Sequence, residues 1–290
     1  MYARKIQPAI LGHYRRAKVL GRTVAEKWGE EEIHQFRVEV KKLRAYLRLS
    51  AAAHTGVKAR LPAKLHAFYA MLGIIRCLQL QQKGLKEAAA RLQMELPAAC
   101  SAALEGRIGA AVAVVTKYWQ LPAPLGKKRV EWHAPVHAHQ AMRGAATFMR
   151  EKASVLALTG ALPDDEGLHA IRKAMKDILY VWPCFSKDAI LSLLPERWRS
   201  REALDACTGW LGKFHDLCIQ LVLLQDDLFR QSTDGQPGTF LEEVRQLWSK
   251  DKEELLEQLR HLLLPADGAV FENPLAPIHL NAESYELHVD

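Results

Sequence analysis

Along most of the chain, apolar positions are interleaved with polar ones in long segments dominated by Ala, Leu, Lys, Arg, Glu and Gln. β-Branched runs and Asn-Gly or Asp-Gly hairpin signals are scarce between the breakers, so the pattern predicts helices throughout. Prolines supply most of the punctuation. Between them, helices are expected near residues 9–28, 31–53, 60–83, 98–119, 136–158, 166–185, 200–230 and 239–263. The fold class predicted is therefore all-α.

No helical period survives between Gln120 and Ala134, where Pro122, Pro124, Gly126 and the following Pro135 surround Lys127, Lys128 and Arg129. This break divides the chain into a first four-helix half (1–119), a linker (120–134) and a second four-helix half (135–264). Beyond it, Pro265, Gly268, Pro274 and Pro277 make a regular helix unfavourable, and residues 265–290 are expected to form an extended tail.

The halves repeat one another. The first reads Glu30-Glu31-Glu32-Ile33-His34-Gln35-Phe36-Arg37 and continues to Lys41-Lys42-Leu43-Arg44 and Arg48. The second reads Asp164-Asp165-Glu166-Gly167-Leu168-His169-Ala170-Ile171-Arg172-Lys173 and continues to Lys176 and Tyr180. At nearly equal distances a second phrase follows, Leu72-Gly73-Ile74-Ile75-Arg76 in one half and Leu211-Gly212-Lys213-Phe214-His215-Asp216 in the other. Two ordered matches in each half are hard to obtain by chance.

Acidic residues at a helix start complement the positive end of its dipole, which accounts for both triplets as scaffolding. The basic residues behind them carry more information. A helix turns about 100° per residue, so His34, Arg37, Lys41, Arg44 and Arg48 fall within an arc of about 80°. His169, Arg172, Lys173 and Lys176 cluster similarly. None of Arg37, Lys41, Arg44 or Arg48 has an Asp or Glu three or four residues away, and like charges at these spacings cost a few tenths of a kcal/mol each. The last helix is an internal control, because there Glu242 can reach Arg245, Lys250 can reach Glu254, and Glu257 can reach Arg260. The uncompensated rows point to a ligand that brings negative charge.

The residue types suit phosphate. Arg grips two oxygens with a planar fork, Lys supplies a movable point charge, and His adds a ring donor that becomes cationic in acid. So many cations exceed the needs of one small anion, and two rows facing each other would match a linear polyanion.

Composition agrees without deciding the ligand. The 290 residues carry 40 Lys plus Arg against 33 Asp plus Glu, a formal charge of +7 before any of 12 histidines is protonated. With 49% apolar and 25% charged residues, the chain has the make-up of an ordinary soluble globular protein. The five cysteines are odd in number, widely spaced and without a CxxC, as expected of reduced thiols in the cytoplasm. No apolar run follows Arg4 and Lys5 to make a signal peptide, and the most apolar stretch, Ile108 to Val115, is too short to span a bilayer.

These phrases resemble the conserved histidine α-helical domain, or CHAD, family. Its first helix phrase is matched by His34-Gln35-Phe36-Arg37-Val38 with Lys41-Lys42-Leu43-Arg44. The second is matched by His169-Ala170-Ile171-Arg172-Lys173 with Lys176 and Tyr180. The Leu-Gly phrase is met by Leu211 to Asp216 and partly by Leu72 to Arg76, and the likeness spans roughly residues 9 to 263. The resemblance implies two pseudo-symmetric four-helix bundles in one compact unit around a central basic groove or pore. It also implies non-catalytic binding of inorganic polyphosphate and association with cytoplasmic polyphosphate granules. The binding residues it implies are His34, Arg37, Lys41, Lys42, Arg44, Arg48, Arg76, His169, Arg172, Lys173 and Lys176, with Tyr180, Lys213, His215 and Asp216 in support. Leu179 stands where the family usually has Arg, and Cys77 where it usually has Asp. A weaker second-half grip and an altered network around Arg76 are expected from these departures.

Rival functions find less support. A nucleic-acid binder fits the charge, but no aromatic residues interleave with the basic rows. A phosphohistidine carrier usually has a small residue four positions after its histidine, where Val38 and Lys173 stand. Catalysis on phosphoanhydrides normally needs carboxylate-held metal or a phosphate loop, and neither GxxxxGK[ST] nor Glu-x-Glu-x-Lys occurs. No catalytic residue, cofactor or metal is therefore expected. His133, His137 and His139 lie in or beside the broken linker without a cysteine or carboxylate pattern, and His66 reads as a helix histidine. Arg197, Arg199 and Arg201 could extend the polyanion track or form a solvated loop.

Overall fold

The computed structural model describes residues 5–52, 60–119, 138–156, 163–187, 194–225 and 237–264, with side chains from 143 in the fifth helix and from 239 in the last. The linker 120–134 and the tail 265–290 lie outside the described residues.

Among the described residues there are eight α-helices and no strand. They are α1 (Ile6–Lys27), α2 (Glu30–Ala51), α3 (Ala63–Leu92), α4 (Ala98–Trp119), α5 (Ala138–Leu156), α6 (Asp165–Val181), α7 (Arg201–Leu224) and α8 (Pro237–Leu263). The all-α expectation holds, and the differences have physical causes. The helix expected to end near residue 83 continues through Gly84 to Leu92. A Cβ on Gly84 would collide with Gln220 Nε2 and stand 3.2 Å from Trp248, so this glycine lets α7 and α8 close on α3. At the other end, α6 stops at Val181 because Pro183 turns the chain into a short 3₁₀ segment, Trp182–Cys184. Two predicted helix starts carry true caps: Asp164 accepts from Gly167 N at 2.8 Å, and Ser200 accepts from Ala203 N at 3.0 Å.

Helices from the two halves share partners. α2 packs on α1, α3, α5 and α6, whereas α3 packs on α4, α7 and α8, and α6 joins α7. One large core runs from Ile33, Phe36 and Leu43 of α2 through Phe68 of α3 to Ile171 and Met175 of α6 and Leu211 and Phe214 of α7. Phe36 meets Phe68 edge to face at 5.2 Å, and Phe68 lies 4.6 Å from Trp119. Phe36 and Phe68, both fully buried, each contribute about 1.5–3 kcal/mol. A smaller core joins Leu85, Cys100, Leu104, Phe240 and Trp248.

α4 stands apart. It packs mainly on α3, and it is long and apolar enough by length and composition to cross a bilayer, with a mean hydropathy of 1.5 and 17% of that window buried. The apolar character extends beyond Ile108 to Val115 because Ala98, Ala99, Cys100, Ala102, Ala103 and Leu104 precede it, with only Glu105 and Arg107 charged between them.

Candidate functional site

The basic rows owe their position to the core. In α2 the buried residues Ile33, Phe36, Val40, Leu43 and Leu47 each stand one place before His34, Arg37, Lys41, Arg44 and Arg48. In α6 Leu168, Ile171, Met175 and Leu179 are buried one place before His169, Arg172, Lys176 and Tyr180. Each row therefore lies about 100° round its helix from the apolar seam, at the edge of the packed interface. Where α2 meets α6, the edges come together.

The Leu-Gly phrases explain themselves here. A Cβ on Gly73 would lie 2.7 Å from Arg37 Nη1, and one on Gly212 would lie 3.5 Å from Arg172 Nε. In each half, then, the arginine of the first phrase lies across the glycine of the second. Arg37 donates to the Tyr69 carbonyl at 2.7 Å and its guanidinium lies 4.4 Å from the Tyr69 ring, with Arg44 at 5.7 Å from the same ring. Arg172 makes no such bond, and its Nε is buried without a hydrogen-bond partner, as is His169 Nδ1. A buried donor left unmatched costs about 1–3 kcal/mol.

Lys41 shows the convergence most directly. Its amine is pushed down to about 8, first by burial and then by the charges of Arg172 and Arg37, with Lys176 adding to them and Asp216 opposing. Cations from both halves thus act on one ammonium group. Burial raises the Asp216 carboxyl, although Arg172, Lys41, Arg76 and His34 all act to lower it. His34 is depressed by burial and then by Arg76, with Glu31 opposing. His169 is depressed by burial and then by Lys173, Arg172 and Lys41. His215 stacks on His169 with ring centres 4.1 Å apart, and it is pushed down to about 4 by burial and by that neighbour. Cys77, at the position where Asp was expected, also lies in this field, its thiol raised by burial while Arg37 acts to lower it.

The rows are not bare along their whole length. Arg37, Lys41, Arg44 and Arg172 make no ion pair among the described residues, but three other cations do. Arg48 pairs with Asp177, which also holds Lys152 at 3.0 Å. Arg76 pairs with Glu30 at 2.6 Å and Lys176 with Asp205 at 3.0 Å. Glu30 is thus more than helix-start scaffolding. One sequence candidate points elsewhere, since Lys42 lies 3.8 Å from Glu39, whereas Lys173 is exposed but still acts on His169. Lys213 covers Trp210 at 4.4 Å and lines, with Asp216, a groove of about 670 Å³ between α3, α7 and α8. Tyr180 is half-buried, its hydroxyl raised by burial while Arg172 acts to lower it.

Tyr69 and Asp177 are not among the residues expected from the sequence. Tyr69 sits one turn before Gly73, a spacing that could have suggested a lid over Arg37. Nothing local reveals Asp177. Arg197 lies 4.4 Å from the Trp198 ring and Arg199 donates to the Leu194 carbonyl at 3.0 Å, so both serve their own loop. His133 and His137 lie outside the described residues, as does the side chain of His139. Among the described residues, no group of three or more His, Cys, Asp or Glu is placed to hold a metal.

Taken together, the molecule is an all-helical protein in which two repeated basic helices meet. The CHAD domain family model matches residues 9–225, and the chain belongs to the CHAD family. The structure is similar to the crystal structure of the CHAD domain from the plant Ricinus communis, with a TM-score of 0.59, 19% identity, and coverage of 91% of this chain and 92% of that one. No curated protein sequence matches.

Proposed function

We propose that this protein binds inorganic polyphosphate on the facing rows of α2 and α6, in the cytoplasm and at polyphosphate granules, and performs no chemistry on it. The observation that carries the reading is Lys41, half-buried in the combined field of Arg37, Arg172 and Lys176 with Asp216 as the acidic neighbour. Holding cations together in a partly dry place is unfavourable, and a polyanion relieves it. The unmatched donor of Arg172 adds to the demand for an oxygen acceptor. Membership of a family associated with polyphosphate binding supports the same ligand. The absence of a phosphate loop and of Glu-x-Glu-x-Lys from the sequence supports binding without catalysis.

Titration of the purified protein with polyphosphates of increasing length tests the reading. Affinity should rise with chain length and fall by roughly a hundredfold between 50 and 200 mM salt, if about four phosphates are neutralised as in nucleic-acid complexes. Short DNA or RNA should fail to displace the chain. A flat response to length and salt would overturn the reading.

A further inference from the structure

Beyond Arg44, the α2 row runs into a pocket of about 370 Å³ lined by Arg44, Leu47, Arg48, Arg60, Leu61, Ala63 and His66. Four of its seven lining residues are basic or histidine, and none is acidic. The groove between α3, α7 and α8 is a useful contrast, because Lys83, Arg91 and Lys213 share it with Glu87, Asp216, Asp251 and Glu254. There Arg91 is matched bidentately by Asp251 at 2.5 and 2.8 Å. Such a groove largely neutralises itself.

The α2 pocket does not. Arg60 and His66 have no side-chain partner among the described residues, and Arg44 has only the face of Tyr69. Arg48 is bound to Asp177, but that carboxylate also holds Lys152, so one positive charge is left over from the trio. Arg60 and His66 come from the approach to α3 and its first turn, not from the repeated phrases, and share no motif with the rows. The volume lies at the small end of the roughly 300–1,000 Å³ range of ligand pockets. Leu47 and Leu61 give it apolar walls, which strengthen charge interactions at its mouth by excluding water.

We propose that this pocket is a second phosphate subsite, which takes the phosphates of a chain that leave the central cluster along α2. The proposal rests on the polyphosphate reading above. Lys41, Arg44 and Arg48 are three and four residues apart on one helix face, so the track from centre to pocket spans about 10 Å. A chain long enough to cover that distance engages both places, and Arg60 with His66 sets how much affinity the extra length adds.

The test compares Arg60→Glu with His66→Gln in one chain, Arg172→Glu, and Lys250→Glu as a matched charge change on α8. Each is titrated with long linear polyphosphate at about 0.15 M salt. The Arg60/His66 variant should lose at least about fivefold in affinity and Lys250→Glu less than about twofold. Both replaced side chains are exposed, so the helical signal should be unchanged. If reversal of charge disturbs folding, Arg60→Ala with His66→Ala serves instead, and the slope of log affinity on log salt should fall by about one unit for each phosphate no longer neutralised. Losses no greater than that of Lys250→Glu, with Arg172→Glu still weakening binding, would overturn the subsite alone. Failure of the wild-type protein to bind, or indifference to Arg172→Glu, would overturn the central reading instead.

Discussion

The helices α2 and α6 carry nearly the same phrase and sit in unlike surroundings. Arg37 and Arg172 each follow a histidine by three residues, and each lies across a glycine of a neighbouring helix. Arg37, however, is engaged by the carbonyl and ring of Tyr69, whereas Arg172 keeps a buried, unmatched Nε. Beside the first stands Cys77, and beside the second Asp216 and the His169–His215 stack. Spacing along the chain sets where a side chain meets its neighbour helix. What the neighbour offers decides how much of the charge is left for a ligand.

The sharpest way to break this contrast is to reverse each arginine separately. Arg172→Glu should weaken polyphosphate binding by at least about tenfold with its helical circular dichroism intact, since hydrogen bonds to charged groups are worth about 1.5–3 kcal/mol each. Arg37→Glu should cost less binding and more stability, because it removes the hydrogen bond that ties α2 to the Tyr69 carbonyl of α3. Equal losses by calorimetry would erase the distinction.

A smaller effect concerns protons at Lys41. Burial and the charges of Arg172 and Arg37 hold its amine at about 8 in the free protein. A bound polyanion favours the charged form and raises that value, so the complex holds more protons than its parts. Affinity should accordingly be greatest below pH 8 and decline a few-fold as pH climbs through and above it. Binding heats in buffers of different ionisation enthalpy would show the uptake, and Lys41→Arg should flatten the profile. A profile already flat in the wild-type protein would mean that Lys41 lies off the path of the ligand.

The smallest effect separates the two glycines. Gly73→Ala places a methyl group 2.7 Å from Arg37 Nη1 and should lower stability by about 1 kcal/mol, by the usual cost of overpacking. Gly212→Ala meets Arg172 at an ordinary 3.5 Å and should be neutral or stabilising by about 0.5–1 kcal/mol, as alanine favours the helix. Urea melts of the two variants suffice. The same sign in both would show that the arginines are held alike.

Much of this was legible in the sequence, for identifiable reasons. The helices follow from period and punctuation, and the row from His34 to Arg48 follows from spacings of three and four on one cylinder. Compensating charge is visible in a sequence only where it stands three or four residues along the same helix. Asp177 reaches Arg48 from 129 positions away, and Glu30 reaches Arg76 across 46. Similarly, the place of Gly84 inside α3 is not visible locally, because the side chains of α7 and α8 that need its missing Cβ are far off in sequence. Lys42 looked equivalent to Lys41, yet one residue of rotation turns it away from the row to Glu39.

Glu39 itself lies about 200° round α2 from Lys41, on the reverse of the helix. It is 6% exposed, and it holds His13 and Arg16 of α1 as well as Lys42. Burial works against its charge, but hydrogen bonds from His13 and Arg16 outweigh that and keep the carboxyl below its usual range. Rolling α2 would drag this anion away from both of its α1 partners at once. The cations on the front of the helix therefore keep their aim while empty, and an arriving ligand meets a pre-organised surface, with little orientational entropy left to remove.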